Sequence, residues 1–137
     1  MSLVAILTPA YNRAYVLPKL YASLVAQTDF DFEWVVVDDG SQDNTEDLIK
    51  GYIAEEKIHI RYIRKVNGGK HDALNVGIQQ ISSEWTMIVD SDDRLTENAV
   101  AEIRRYAAKI PQYKTDKKIV GISFLRAYPD GRTNGKK

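Results

Sequence analysis

Short unbroken apolar runs alternate along the chain with stretches whose apolar positions recur every three or four residues. This alternation predicts strands and helices in turn. Val4-Ala5-Ile6-Leu7 reads as a buried strand ended by Pro9. From Val16 the spacing becomes helical, with Leu17, Leu20 and Leu24 on one face and Pro18 tolerated in the first turn. Trp34-Val35-Val36-Val37 is continuous and β-branched, as in a strand covered on both faces. A helix is predicted from about Thr45, with Asn44 as N-cap and Leu48, Ile49, Tyr52 and Ile53 as its buried stripe. Ile58, Ile60 and Tyr62 alternate with His59, Arg61 and Ile63 in a third strand. Ala73, Leu74, Gly77, Ile78 and Ile81 return to helical spacing, and Trp85 to Val89 is a fourth strand. Thr96 is expected to cap a helix carrying Val100, Ile103, Tyr106, Ala107 and Ile110, stopped by Pro111. A fifth strand is expected from Ile119 to Phe124.

Four consecutive strand-then-helix units predict an α/β fold, a mostly parallel sheet with helices on both faces. In such sheets ligands bind at the carboxyl ends of the strands, so the loops there matter most.

Composition narrows the classes. At 137 residues the chain accommodates one domain with a real core. Nineteen basic and nineteen acidic residues cancel, which gives no electrostatic reason to expect a nucleic acid partner. The chain has no cysteine, which excludes disulfides and thiolate metal sites. No apolar run approaches the ~20 residues needed to cross a bilayer, and Met1-Ser2-Leu3-Val4 does not begin a secretory signal. The polar tail from Asp130 to Lys137 is expected to form neither helix nor strand, and reads like a chain cut in a loop.

Each of the first four predicted strands runs into a chemically capable loop. These are Thr8-Pro9-Ala10-Tyr11-Asn12-Arg13, Asp38-Asp39-Gly40-Ser41, Asn67-Gly68-Gly69-Lys70-His71 and Asp90-Ser91-Asp92-Asp93. Two like charges about 4 Å apart repel by ~4 kcal/mol near a protein surface. The acidic run therefore calls for open water or a cation, and Mg²⁺ or Mn²⁺ suits oxygen ligands shared with substrate phosphates. The plainer reading makes Asp92 and Asp93 solvated residues before a helix. Its position at a strand end, opposite Asp38 and Asp39, favours metal. Asp38 to Ser41 also has the composition of an ordinary turn. Tyr11 reads either as core or as a stacking platform for a base. Lys70, at a helix start behind two glycines, reads as a phosphate ligand or as a solvated lysine. His71 is assigned no chemistry. The loop after the first strand has no glycine, which disfavours dinucleotide binding.

Taken in order, four stretches resemble the family 2 glycosyltransferases. They are Thr8 to Arg13, Trp34 to Asp43, Asn67 to Asn75 and Asp90 to Asp93, and they span nearly the whole chain up to the fourth helix. Each is moderately specific; the ordered set is highly specific. The resemblance implies the Rossmann-like, nucleotide-binding half of a GT-A fold. It implies a donor sugar carried on a nucleoside diphosphate, most often UDP, and transfer to a glycan or lipid-linked acceptor with inversion. Tyr11 and Asp39 would contact the base, Thr8 and Pro9 would shape its pocket, Asp38 would support the loop, and Lys70 would lie near the nucleotide. Asp90-Ser91-Asp92 matches the family's Asp-x-Asp motif. Asp92 would ligate Mn²⁺ or Mg²⁺ and Asp90 would face ribose or sugar, with Ser91 beside them in the donor site and Asp93 as an alternative ligand. The family's general base lies beyond this motif, so the catalytic residue is expected outside the chain, which reads as the N-terminal part of a longer enzyme. A cytoplasmic location, at the inner membrane face, is expected, and the absence of cysteine is compatible with a reducing cytosol. A magnesium-dependent phosphotransfer or receiver domain is the competing class, but it places its aspartates after the first strand, where this chain has none. A module that binds donor without catalysis is a third reading.

Overall fold

A computed structural model of the chain describes residues 2–109, 126–127 and 133–134. Four strands, β1 (Val4–Ala10), β2 (Phe32–Asp38), β3 (Ile60–Arg64) and β4 (Trp85–Ile88), alternate with four helices. These are α1 (Leu17–Val25), α2 (Thr45–Glu55), α3 (Lys70–Gln80) and α4 (Ala99–Lys109). The strands form one sheet in the order β3-β2-β1-β4, and every pairing is parallel. The α/β fold expected from the pattern is the one observed.

Side chains alternate between the two faces of a strand, so each strand feeds two cores. Ile6, Trp34 and Val36 point to one face, where Leu17, Leu20 and Leu24 of α1, Ile49 of α2, and Val100 and Ile103 of α4 cover them. Ala5, Leu7, Val35 and Val37 point to the other, against Ala73 of α3. Each fully buried aliphatic side chain contributes ~1.5–3 kcal/mol, which makes these layers the main source of stability. Packing on the second face depends on Gly77. A Cβ there would stand 2.4 Å from Leu7 Cδ1 and 3.0 Å from Val37 Cγ2.

The structure corrects several local expectations. Pro9 does not end β1, which continues to Ala10. The carbonyl of Leu7 faces β4 and accepts from the Val89 amide. Pro9, two residues on, faces the same way, where β4 has already stopped pairing, so its missing N–H costs no ladder bond. Asn44 makes no side-chain cap. Asp43 does this instead, accepting from the backbone and hydroxyl of Thr45. Ile53 and Tyr106, expected in buried stripes, are 38% and 47% exposed. The Thr96 hydroxyl bonds Asn98 rather than capping α4. In the tail, Thr133–Asn134 pairs antiparallel with Arg126–Ala127 as β6 and β5, where no strand was expected. The strand expected at 119–124, Ile110 and the Pro111 stop lie outside the described residues.

Candidate functional site

The rim is set by how far each strand pairs. β1 pairs with β2 along its whole length, through Ala10 and Asp38, but with β4 only as far as Leu7 and Ile88. α1 covers one face, whereas α3 carries the chain from β3 across the other to β4. That change of direction between β1 and β4 is where α/β sheets open a ligand crevice at the strands' carboxyl ends.

The β1 and β2 loops are interlocked. Asn12, at φ 53°, accepts from the Gln42 amide at 2.8 Å, and its own amide donates to the Ser41 hydroxyl at 2.8 Å. The Ala14 amide reaches Asp43 at 3.2 Å. Tyr11 stands at the surface, 44% exposed, as a ring available to a ligand. Thr8 and Pro9 lie buried behind it, and the Thr8 hydroxyl accepts from the Trp34 indole nitrogen at 2.9 Å.

Asp38 closes β2 and Asp39 is the first residue beyond it, and the two carboxylates have different partners. Asp38 is fully buried and accepts from the Ser41 amide at 2.8 Å, from the Tyr62 hydroxyl, and from Arg64 at 3.5 Å. Burial first, then this bond to Asp38, pushes the Tyr62 phenol well above the usual tyrosine range. Asp39, 4% exposed, receives four donors on its two oxygens. They are Lys65 Nζ at 2.6 Å, the Gly68 amide at 2.9 Å, the Gly69 amide at 2.9 Å and Asn67 Nδ2 at 3.2 Å. Burial alone would raise its pKa, but the bond from Lys65 and the two glycine amides hold it below the usual carboxylate range. Lys65 also pairs with Asp72 at 2.7 Å, and these bonds to Asp39 and then Asp72 raise its ammonium. Gly40, at φ 81°, lets this loop approach: a Cβ there would meet the Asn67 nitrogen at 3.0 Å. Beside it an open groove of about 480 Å³ is lined by Gly40, Arg64, Lys65, Val66 and Asn67. It lies on the β2–β3 side of the rim, not over the acidic run.

The acidic run is gathered. Asp90, Asp92 and Asp93 each offer a carboxylate oxygen within 4.8 Å of the others. The turn is closed by the Asp93 amide on the Asp90 carbonyl at 3.0 Å, with Ser91 buried between. Hard oxygen donors at this spacing fit a divalent cation. Residues 69–70 bridge the two acidic loops. The Gly69 amide donates to Asp39, and the next residue's Lys70 Nζ meets Asp90 at 2.8 Å. Tyr11, Asp39, Lys70 and the acidic run thus share one edge of the sheet. His71 is exposed.

Sequence reasoning missed Lys65, Tyr62 and Arg64. The usable signal was their register: all three sit at the carboxyl end of β3, level with or just beyond Val36 and Asp38.

The sequence profile of Glycosyl transferase family 2 matches residues 5–124. The uncharacterized glycosyltransferase EpsJ of Bacillus subtilis is 33% identical over 96% of this chain and 36% of its own length. Glycosyltransferase GlyA of Streptococcus pneumoniae is 33% identical over 82% of the chain and 16% of its own. Among solved structures, S. aureus TarS 1–349 in complex with UDP superposes with a TM-score of 0.73 at 27% identity, over 80% of this chain and 32% of that one. Its complex with UDP-GlcNAc gives the same TM-score at 28% identity over the same shares. The chain spans about a third of the length of EpsJ and of this TarS fragment.

Proposed function

Since the chain belongs to glycosyl transferase family 2, we propose that it forms the donor-binding region of an enzyme that transfers a sugar from a nucleoside diphosphate, with UDP as the nucleotide. The UDP and UDP-GlcNAc complexes of TarS support that choice. The acceptor in this reading is a glycan or a lipid-linked sugar, as in polysaccharide assembly. A lipid-linked acceptor would bring the enzyme to the cytoplasmic face of a membrane. No helix among the described residues is long and apolar enough to cross one.

The observation that carries the reading is the shared rim, where residues 69–70 tie the Asp39 loop to the acidic run. Tyr11 offers a ring for the base. Thr8, Pro9 and Asp38 back its pocket from below. Asp39 shapes the pocket through the 67–69 loop. A carboxylate has about four acceptor positions, and all four are taken, so a base N–H that bonds Asp39 replaces one of those donors. Asp92, Asp90 and Asp93 would hold Mg²⁺ or Mn²⁺, with Lys70, Asp90 and Ser91 toward the diphosphate and ribose. When bound, the cation would neutralise charge on the departing diphosphate. Inversion, by attack of the acceptor hydroxyl opposite the leaving group, belongs to the same proposal.

Calorimetric titration with UDP, GDP, ADP and CDP, with and without Mn²⁺, tests it. The reading requires selective UDP binding that depends on Mn²⁺ and is lost in Asp92→Ala. UDP affinity that a chelator leaves untouched removes the metal role of Asp92. Equal affinity for all four nucleotides removes the assignment of UDP.

A further inference from the structure

Gln27 is 3% exposed, just beyond the end of α1, and far in sequence from the acidic run. Its amide makes three hydrogen bonds. Nε2 donates to the Ser23 carbonyl at 3.0 Å and to the Thr96 carbonyl at 2.7 Å, and Oε1 accepts from the Val100 amide at 3.1 Å. Val100 lies in the first turn of α4, where backbone N–H groups have no partner within the helix. A side chain from the loop after α1 therefore supplies the cap that Thr96 was expected to provide.

Two neighbours strengthen the same seam. The Ser23 hydroxyl accepts from the Leu95 amide at 3.1 Å and donates to the Leu20 carbonyl at 2.7 Å. The Thr28 amide donates to the Glu97 carbonyl at 2.8 Å. Residues 95–100 are thus held to the end of α1 by four hydrogen bonds. At the other side, the Val89 amide on the Leu7 carbonyl fixes the end of the sheet. The acidic turn at 90–93 hangs between these anchors.

We propose that Gln27, aided by Ser23, is a positioning residue for the carboxylates. By fixing residues 95–100 it sets the distances among Asp90, Asp92 and Asp93. The inference rests on the reading of that run as a cation site. A binding constellation must be held within ~0.5 Å of its productive geometry by supporting groups, and a five-residue span anchored at one end only would not be. Gln27 itself touches neither cation nor donor.

The test is Mn²⁺ affinity, read from the electron paramagnetic resonance signal of free Mn²⁺ in the full chain, well below the unfolding midpoint. Gln27→Met keeps the volume and removes all three bonds. Gly77→Ala, on the opposite face of the sheet, is the comparison that lowers stability without touching this seam. Gln27→Met is expected to weaken Mn²⁺ binding by ~10-fold or more, in the range seen for groups that orient metal ligands. Gly77→Ala should leave it within roughly twofold, since its added Cβ meets the Leu7 and Val37 side chains and none of the bonds that hold residues 95–100. Equal affinity in Gln27→Met and wild type, or equal losses in Gln27→Met and Gly77→Ala, would overturn the proposal and leave Gln27 a structural cap. Should Gln27→Met fail to fold, Ser23→Ala carries the test: a threefold or greater loss supports the positioning role, and an unchanged affinity overturns it. A wild-type chain that binds no Mn²⁺ removes the cation site and the positioning role together.

Discussion

The indole nitrogen of Trp34 donates to the Thr8 hydroxyl at 2.9 Å, inside the sheet face that α1 covers. Both side chains are fully buried, so neither partner can turn to water. Thr8→Val keeps the shape and strands the indole N–H, at a cost of ~1–3 kcal/mol. Urea unfolding should show a lower midpoint with an unchanged slope. An unshifted midpoint would mean that the indole finds another acceptor.

Gly77→Ala forces a Cβ to 2.4 Å from Leu7 Cδ1 and 3.0 Å from Val37 Cγ2. Helix propensity alone would favour the alanine by ~1 kcal/mol. Overpacking a close helix–sheet contact costs ~1–3 kcal/mol and should win. Thermal unfolding is expected to move down, and an upward shift would show that α3 slides away at little cost.

Asp39 gives the acid limb of stability a defined source. Its pKa in the folded chain is held below the unfolded value of ~3.9. Its contribution is therefore complete above that value and is lost as pH falls through the folded one. Asp39→Asn should lower the melting temperature at pH 7 and flatten its fall as the pH drops below about 4. Parallel curves for the two proteins would assign acid sensitivity elsewhere. Lys65, raised by Asp39 and Asp72, behaves oppositely: its contribution stands below the unfolded lysine value and goes as pH rises past the folded one.

Lys70 shares Asp90 with any cation that the acidic run binds. Both side chains are about half exposed, where such pairs are worth ~0.2–1 kcal/mol. Lys70→Met is therefore expected to tighten Mn²⁺ binding by roughly two- to fivefold, while weakening UDP binding in its presence. Looser Mn²⁺ binding in the variant would instead give Lys70 a supporting role at the cation site.

Much of this was legible because parallel sheets advertise themselves. Short, β-branched unbroken runs such as Trp34 to Val37 read as strands with two covered faces, and the loops that follow then share a rim. What escaped was set by partners distant in the chain. Asn44 has cap chemistry, but it is the Asp43 carboxylate that accepts from the Thr45 and Ala14 amides. Thr96 looked like the cap of α4, yet Gln27 reaches Val100 from the loop after α1, and no local pattern announces it. Ile53 and Tyr106 keep helical spacing but fall at the margin of their stripes, where the sheet no longer covers them. At the site, Asp39 was visible as a strand-end carboxylate, whereas the saturation of its oxygens depends on a loop that returns 26 to 30 residues later.

The early stop of β4 separates two demands that usually compete. Thr8, Pro9 and Ala10 keep β2 on one flank but lose β4 on the other, because the ladder on that flank runs out at Leu7. On the proposed reading, room for the donor at that flank comes from a neighbour strand that stops short, and not from the apolar layers. Redesign of the acidic turn for a different guest can therefore proceed by altering residues 90–93 while Leu7, Val35 and Val37 stay as they are.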